Sequence, residues 1–269
     1  MKILTIIDSC YPNLSKQGKK VADYVKIKKQ DIAIMSLQEI SREIKVSEAT
    51  ITRFTRKLGF QGFTDFKLEL AREDEMYLEK TNGNYMAKIA NNISNMVSAT
   101  KDLIDINELN KAIGYIENSK NIFTFGIGAS GIAAKELQTR FLRFGKIIIS
   151  ESINHFQIMY SSILNEKDLV IAISLTGDTK DLIYPIEIAK KNGCKVIAIT
   201  NHLLSPLAKL ADATLLTAGR ETPLDGGSLV SKISQLYVVD LLATGYAMNN
   251  KCEAIKSKEK IALSIAKRK

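Results

Sequence analysis

Two hydroxyl-bearing, glycine-containing turns carry the residues of this 269-residue chain best suited to hold an anion. The first is Gly126-Ile127-Gly128-Ala129-Ser130-Gly131, which follows the apolar run 122–125 and opens a helical stretch. Glycines let the backbone approach a ligand closely, and Ser130 puts a hydroxyl at a helix start, where exposed N–H groups favour negative charge. The second is Ser174-Leu175-Thr176-Gly177-Asp178-Thr179, after the apolar run 169–173. Its three hydroxyls and exposed backbone N–H groups are the makings of a phosphate cradle. A monophosphate gripped between two helix starts uses both turns. The first turn also satisfies GxGxxG, and Glu151 lies 20 residues past Gly131. A dinucleotide site, with that acid on a ribose hydroxyl, is therefore a second reading. It leaves the second turn without a task.

A different chemistry is written into residues 36–63, SLQEISREIKVSEATITRFTRKLGFQGF. Ser36 with Glu39 forms a capping box, and Ser47 is the N-cap of the next helix after a short turn, Ile44-Lys45-Val46-Ser47. Leu37, Ile40, Ile44, Val46, Ile51, Phe54 and Leu58 would make one small core. Ser47, Glu48, Thr50, Thr52 and Arg53 are then left on or near the exposed start of the second helix. Hydroxyls there reach base edges or phosphates, and Arg53 reaches a guanine or a phosphate. Arg56, Lys57 and Lys67 suit the phosphate backbone. A plain helical hairpin with charged outer faces is the alternative that spacing alone leaves open.

The elements that must position these residues fall into two kinds. Residues 15–28 read as an amphipathic helix, and 63–80 as the last helix of an all-helical N-terminal domain, residues 1–80. Thr81-Asn82-Gly83-Asn84 is the break. Residues 85–104 read as a connecting helix. In the remaining domain, 105–269, five apolar runs (122–125, 147–149, 169–173, 196–200 and 214–217) alternate with helices at 130–144, 152–163, 179–192 and 206–210. A long helix at 228–248 closes it. Alternation of this kind predicts a doubly wound, five-stranded parallel sheet, so the fold class is α plus α/β.

Composition narrows the partners. The net charge is +9, with +6 on residues 1–72 and +5 on residues 249–269. A basic N-terminal module fits a polyanion. The lysine-rich tail reads as solvated and disordered. No apolar run approaches the roughly 18 residues of a membrane span. MKILTIIDS lacks a small-residue cleavage site and reads as structure. Cys10, Cys194 and Cys252 have no CxxC spacing and suit reduced thiols in a cytoplasm. No metal-ligand cluster or nucleophile–base pair is visible, and no cofactor is expected. The two histidines, His155 and His202, read as bystanders.

VSEATITRFTRKLGFQGFTDFK, residues 46–67, closely resembles the signature of RpiR-type bacterial transcription regulators, in which a helix-turn-helix domain precedes a sugar isomerase (SIS) domain. The resemblance covers nearly the whole chain. The second turn is similar to the SIS phosphosugar motif Ser-x-Ser-Gly-x-Thr at Ser174, Gly177 and Thr179, with Thr176 in place of the second serine. The resemblance implies that Ser130 belongs to the first phosphate loop beside Gly128, that Ser228 faces the sugar, and that Glu221 lies where SIS isomerases place an acid–base carboxylate. It further implies operator DNA, a phosphosugar effector and a homodimer or higher oligomer as partners, and sensing without turnover. A phosphosugar isomerase with an accessory helical domain is the rival reading.

Overall fold

The computed structural model describes residues 2–32, 35–80, 85–219 and 229–267. They form two compact units, one running to Lys88 and the other beginning at Ile89. The break expected at 81–84 lies outside the described residues.

The first unit is helical: α1 (Lys2–Cys10), a 3-10 turn (Tyr11–Asn13), α2 (Lys16–Ile27), α3 (Lys29–Ile32), α4 (Leu37–Ile44), α5 (Glu48–Lys57) and α6 (Phe63–Lys80). The N-terminal apolar run forms α1 and buries Ile3 and Ile7. Both predicted caps are in place. Glu39 N–H donates to Ser36 Oγ at 3.1 Å, and Ser36 N–H donates to Glu39 Oε2 at 2.7 Å. Ser47 accepts from Thr50 N–H at 3.4 Å. Glu48 in the first turn of α5 and Arg56 and Lys57 in its last complement the helix dipole. Between the helices, Lys45 takes φ 54°, the one positive-φ non-glycine among the described residues. A left-handed residue lets the chain reverse sharply after α4, at some conformational cost for a lysine. Ile40, Val46, Ile51, Phe54 and Leu58 are buried in one cluster with Phe66 and Leu70, and Leu37 and Ile44 pack at its margin. Phe66 is its centre, edge-on to Phe54 at 6.3 Å and to Phe60 at 5.2 Å between ring centroids.

The unit boundary falls within α7 (Tyr85–Leu103). Then come α8 (Ile106–Asn118), β1 (Ile122–Gly126), α9 (Ala129–Leu142), β2 (Ile149–Glu151), α10 (Asn154–Ile163), β3 (Leu169–Ile173), α11 (Lys180–Lys191), β4 (Lys195–Thr200), α12 (Pro206–Leu210), β5 (Ala213–Leu216), α13 (Leu229–Asn249) and α14 (Lys251–Ala266). The five strands pair in parallel in the order β2-β1-β3-β4-β5. β1 and β3 are buried on both faces, as continuous apolar runs in a covered parallel sheet should be. One core layer joins α8, α9 and α13 to the sheet through Ile171, Ile173, Ile197 and Ile199. The other joins α10, α11 and α12 through Phe125, Val170, Ala172 and Ala198.

Three readings of the sequence need correction. The second strand was expected at 147–149 and lies at Ile149–Glu151. It is an edge strand whose Ser150 and Glu151 pair by backbone with Thr124 and Phe125, so its side chains need not be apolar. Ile147, expected inside, is exposed. The basic tail, expected to be disordered, forms α14: Ala254 is buried, and Lys258 Nζ lies 4.7 Å from the centre of the Phe144 ring. Helix α8 was not anticipated. Asp105 caps it, and Leu109, Ala112, Ile113 and Ile116 line the core.

Replacing Phe66 with Ala should destabilise the first unit by about 3–5 kcal/mol, the range for losing a buried aromatic ring. Hydrogen exchange should then lose protection at the amides of α4 and α5 while β3 and β4 keep theirs. Unchanged protection in α5 would contradict the central position of this ring.

Candidate phosphate cradle and nucleic-acid interface

Gly126 at the end of β1 is in register with Ile173 at the end of β3, so the two turns leave the same edge of the sheet on adjacent strands. Adjacent strands lie about 4.8 Å apart. Helix α9 then departs to one face and α11 to the other. This divergence is the topological switch point, where open α/β sheets hold ligands. Neither helix start carries a side-chain cap: Gly128 precedes α9 and Thr179 precedes α11 without one. By contrast, α2, α4, α5, α8 and α12 are each capped by a serine or aspartate, while α10 and α14 also start without a side-chain cap. What sets α9 and α11 apart is that their uncapped starts follow adjacent strand ends, an arrangement suited to an anion.

Local bonds shape the second turn. Ser174 is buried at the end of β3, and its Oγ accepts from Gly177 N–H at 3.1 Å. Its hydroxyl also meets Thr179 Oγ1 at 3.0 Å. Thr176 is exposed and accepts from Asp178 N–H at 3.3 Å. Gly177 has φ 62°, and a Cβ there would stand 2.2 Å from Ser205 Oγ and 2.7 Å from Thr200 Oγ1. Only glycine fits. Thr200 Oγ1 donates to Leu175 O at 3.2 Å, so β4 supplies the wall that fixes the turn.

The first turn is equally tight. A Cβ on Gly126 would lie 2.6 Å from the carbonyl oxygen of Ser130, so this glycine lets α9 start directly against the strand. Ser130 is buried, and its Oγ accepts from Gln235 Nε2 of α13 at 3.0 Å. Gln235 was not anticipated from the sequence. Its signal was there: a glutamine on the stripe that α13 buries through Val238, Val239 and Leu242. The carboxylate that a dinucleotide site would require is engaged in its own turn. Glu151 Oε1 accepts from Ser152 N–H and Ile153 N–H, both at 2.8 Å.

The structure thus brings together Gly128, Ser130, Ser174, Thr176, Gly177 and Thr179 along one sheet edge. Glu221 and Ser228 lie outside the described residues. An open cavity of about 680 Å³ lies on the β2 side of the first turn, lined by Gly131, Ile132, Lys135, Thr139, Ser152 and Leu236 among others. Of the described residues named for the cradle it includes Gly128, so the cavity adjoins the cradle at the first turn. His155 is exposed on α10, and His202 follows β4 with its backbone N–H on Thr200 Oγ1 at 3.4 Å.

In the first unit, Ser47, Glu48 and Arg53 are exposed at the start of α5, and Thr50 and Thr52 are half-buried. Ser47 Oγ lies 2.9 Å from Thr50 Oγ1, which accepts from Arg53 at 3.2 Å. These three side chains form one polar patch. The three cations assigned to phosphates also hold the unit together. Arg56 donates to Gln61 O at 3.2 Å, Lys57 to Asn13 O, and Lys67 to Met35 O at 2.8 Å. Burial draws the Lys67 ammonium below its usual pKa, with Glu39 opposing. Of the three, Lys67 is the least able to reach a partner.

Comparison with known proteins agrees with both halves. Residues 1–76 match the helix-turn-helix domain of the rpiR family, and residues 115–245 match the SIS domain. An HTH-type transcriptional regulator of Clostridium perfringens is 35% identical over 98% of this chain and 99% of its own. Another, from Haemophilus influenzae, is 32% identical over 96% of this chain and 94% of its own. The structure of the Vibrio vulnificus NanR protein complexed with ManNAc-6P superposes with a TM-score of 0.81 at 30% identity, covering 99% of both chains. Kinship over the full length, and not through one shared domain, makes this chain a member of the RpiR family of helix-turn-helix transcriptional regulators with an SIS domain.

Proposed function

We propose that the protein binds operator DNA through its helix-turn-helix unit and senses a phosphorylated sugar through its SIS domain, without turning the sugar over. The observation that carries the reading is the pair of uncapped helix starts, α9 and α11, at neighbouring strand ends. Residues 1–80 are the DNA-binding head, 81–104 the connecting segment and 105–269 the effector domain. The phosphate sits on Ser130, Ser174, Thr176 and Thr179, with Gly128 and Gly177 allowing the backbone to approach. Glu221 and Ser228 serve the sugar end. ManNAc-6P, bound by the 30%-identical Vibrio protein, makes N-acetylhexosamine 6-phosphates the first class to test.

On the DNA side, the start of α5 enters the major groove with Ser47, Glu48, Thr50, Thr52 and Arg53, and Arg56 and Lys57 contact phosphates. Lys67 contributes mainly by holding Met35. The protein acts as a homodimer or higher oligomer on a palindromic operator. Effector binding alters operator affinity by differing between two states of the assembly. The regulator naming of the two full-length relatives favours sensing over isomerisation.

Arg53→Ala should weaken binding to a duplex selected by the protein from a random pool by about tenfold, the scale of one good base contact. Fluorescence anisotropy measures this, and unchanged affinity removes Arg53 from the reading face. Ser174→Ala with Thr179→Ala should lower phosphosugar affinity by about 100-fold, since charge-assisted hydrogen bonds to the phosphate are lost. Calorimetry reads that loss, and the effector-free protein should bind the same duplex as before. Undiminished ligand affinity in the double variant would place the phosphate elsewhere.

A further inference from the structure

Gln235 lies on α13, 105 residues from Ser130 in sequence, and is wholly buried. Its Nε2 donates to Ser130 Oγ at 3.0 Å, while its Oε1 is buried with no hydrogen-bond partner among the described residues. An amide nitrogen can only donate. The Ser130 oxygen is therefore engaged as an acceptor, and its single proton is not spent on Gln235. A phosphate monoester dianion offers only acceptor oxygens, so a serine hydroxyl is useful to it only as a donor.

We infer that Gln235 is a positioning residue of the cradle, holding Ser130 in the role of proton donor to the bound phosphate. The inference rests on the phosphosugar reading above. The unpartnered Oε1 gives the arrangement its sense. Turning the amide by 180° would present Oε1 to Ser130, take up the hydroxyl proton and withdraw it from a ligand. Either orientation leaves one amide group of Gln235 without this partner, so bound phosphate selects the orientation that keeps Ser130 donating. A buried amide with an unmet acceptor among the described residues is costly in a core, and of its buried neighbours on α13 Ser234 is polar while Val238, Val239 and Leu242 are apolar. A purely structural role would be served as well by an apolar side chain of similar size.

The test is a double-mutant cycle on effector affinity. Wild type, Gln235→Met, Ser130→Ala and the double variant are titrated calorimetrically with ManNAc-6P and with inorganic phosphate, after thermal melting shows each to be folded. Gln235→Met should weaken binding about tenfold, as expected for loss of one oriented charge-assisted hydrogen bond. In the Ser130→Ala background the same change should cost less than about twofold, because there is no hydroxyl left to orient. Equal losses in both backgrounds, or no loss in either, would overturn the role of Gln235 and leave the cradle standing. Wild type that binds neither probe would overturn the cradle and this inference with it. Should Gln235→Met not fold, Gln235→Leu, likewise uncharged and unable to donate, takes its place in the cycle with the same expected and overturning outcomes.

Discussion

The pairing of β1 with β3 is the constraint on which the second unit turns. Parallel strands in register end at the same edge, and here the chain leaves those two ends toward opposite faces. Two helix N-termini thereby follow adjacent strand ends, and neither is closed by a side-chain cap. The surrounding residues serve that geometry. Gly126 allows α9 to begin against the strand, and Gly177 is confined between Thr200 and Ser205. Ser174 is buried so that its hydroxyl braces the turn internally. The two apolar layers hold the strands rigidly enough for these distances to persist.

The first unit solves a smaller problem by similar means. About a dozen buried side chains around Phe66 fix a short helix, a reversal and a second helix whose start stays exposed. The reversal depends on Lys45 in a left-handed conformation, stabilised by Val46 N–H on Ser41 O at 3.1 Å. Cations that composition alone would hand to DNA are partly committed to this small core. Lys57 ties α5 to the 3-10 turn at Asn13, and Lys67 ties α6 to Met35. Net charge counts such groups equally, whereas burial and hydrogen bonding divide them into those free to reach outward and those that are not.

Much of this was legible in the sequence because it is local. Capping residues sit three positions from what they cap, so Ser36 with Glu39 and Ser47 with Thr50 could be read directly. Four of the five strands announced themselves as β-branched runs because the sheet buries them on both faces or nearly so. β2 did not, since an edge strand is specified by backbone pairing more than by side chains. α14 was missed because lysines dominate its composition, while its anchors, Ala254 and the Phe144 ring, act at a distance. In the candidate site, Ser174, Gly177 and Thr179 share one turn and were visible. Gln235 meets Ser130 only through the fold, and no local pattern records a contact across 105 residues.

The central claim is that two helix starts at one sheet edge form a site for a phosphate carried on a sugar. Calorimetric titration of the wild-type protein with ManNAc-6P and, in parallel, with the unphosphorylated sugar tests it most directly. The account predicts that the phosphorylated compound binds at least about 100-fold more tightly, because the uncapped N–H groups and the hydroxyls of Ser130, Ser174 and Thr179 act on the phosphate. Equal affinity for the two compounds would contradict it.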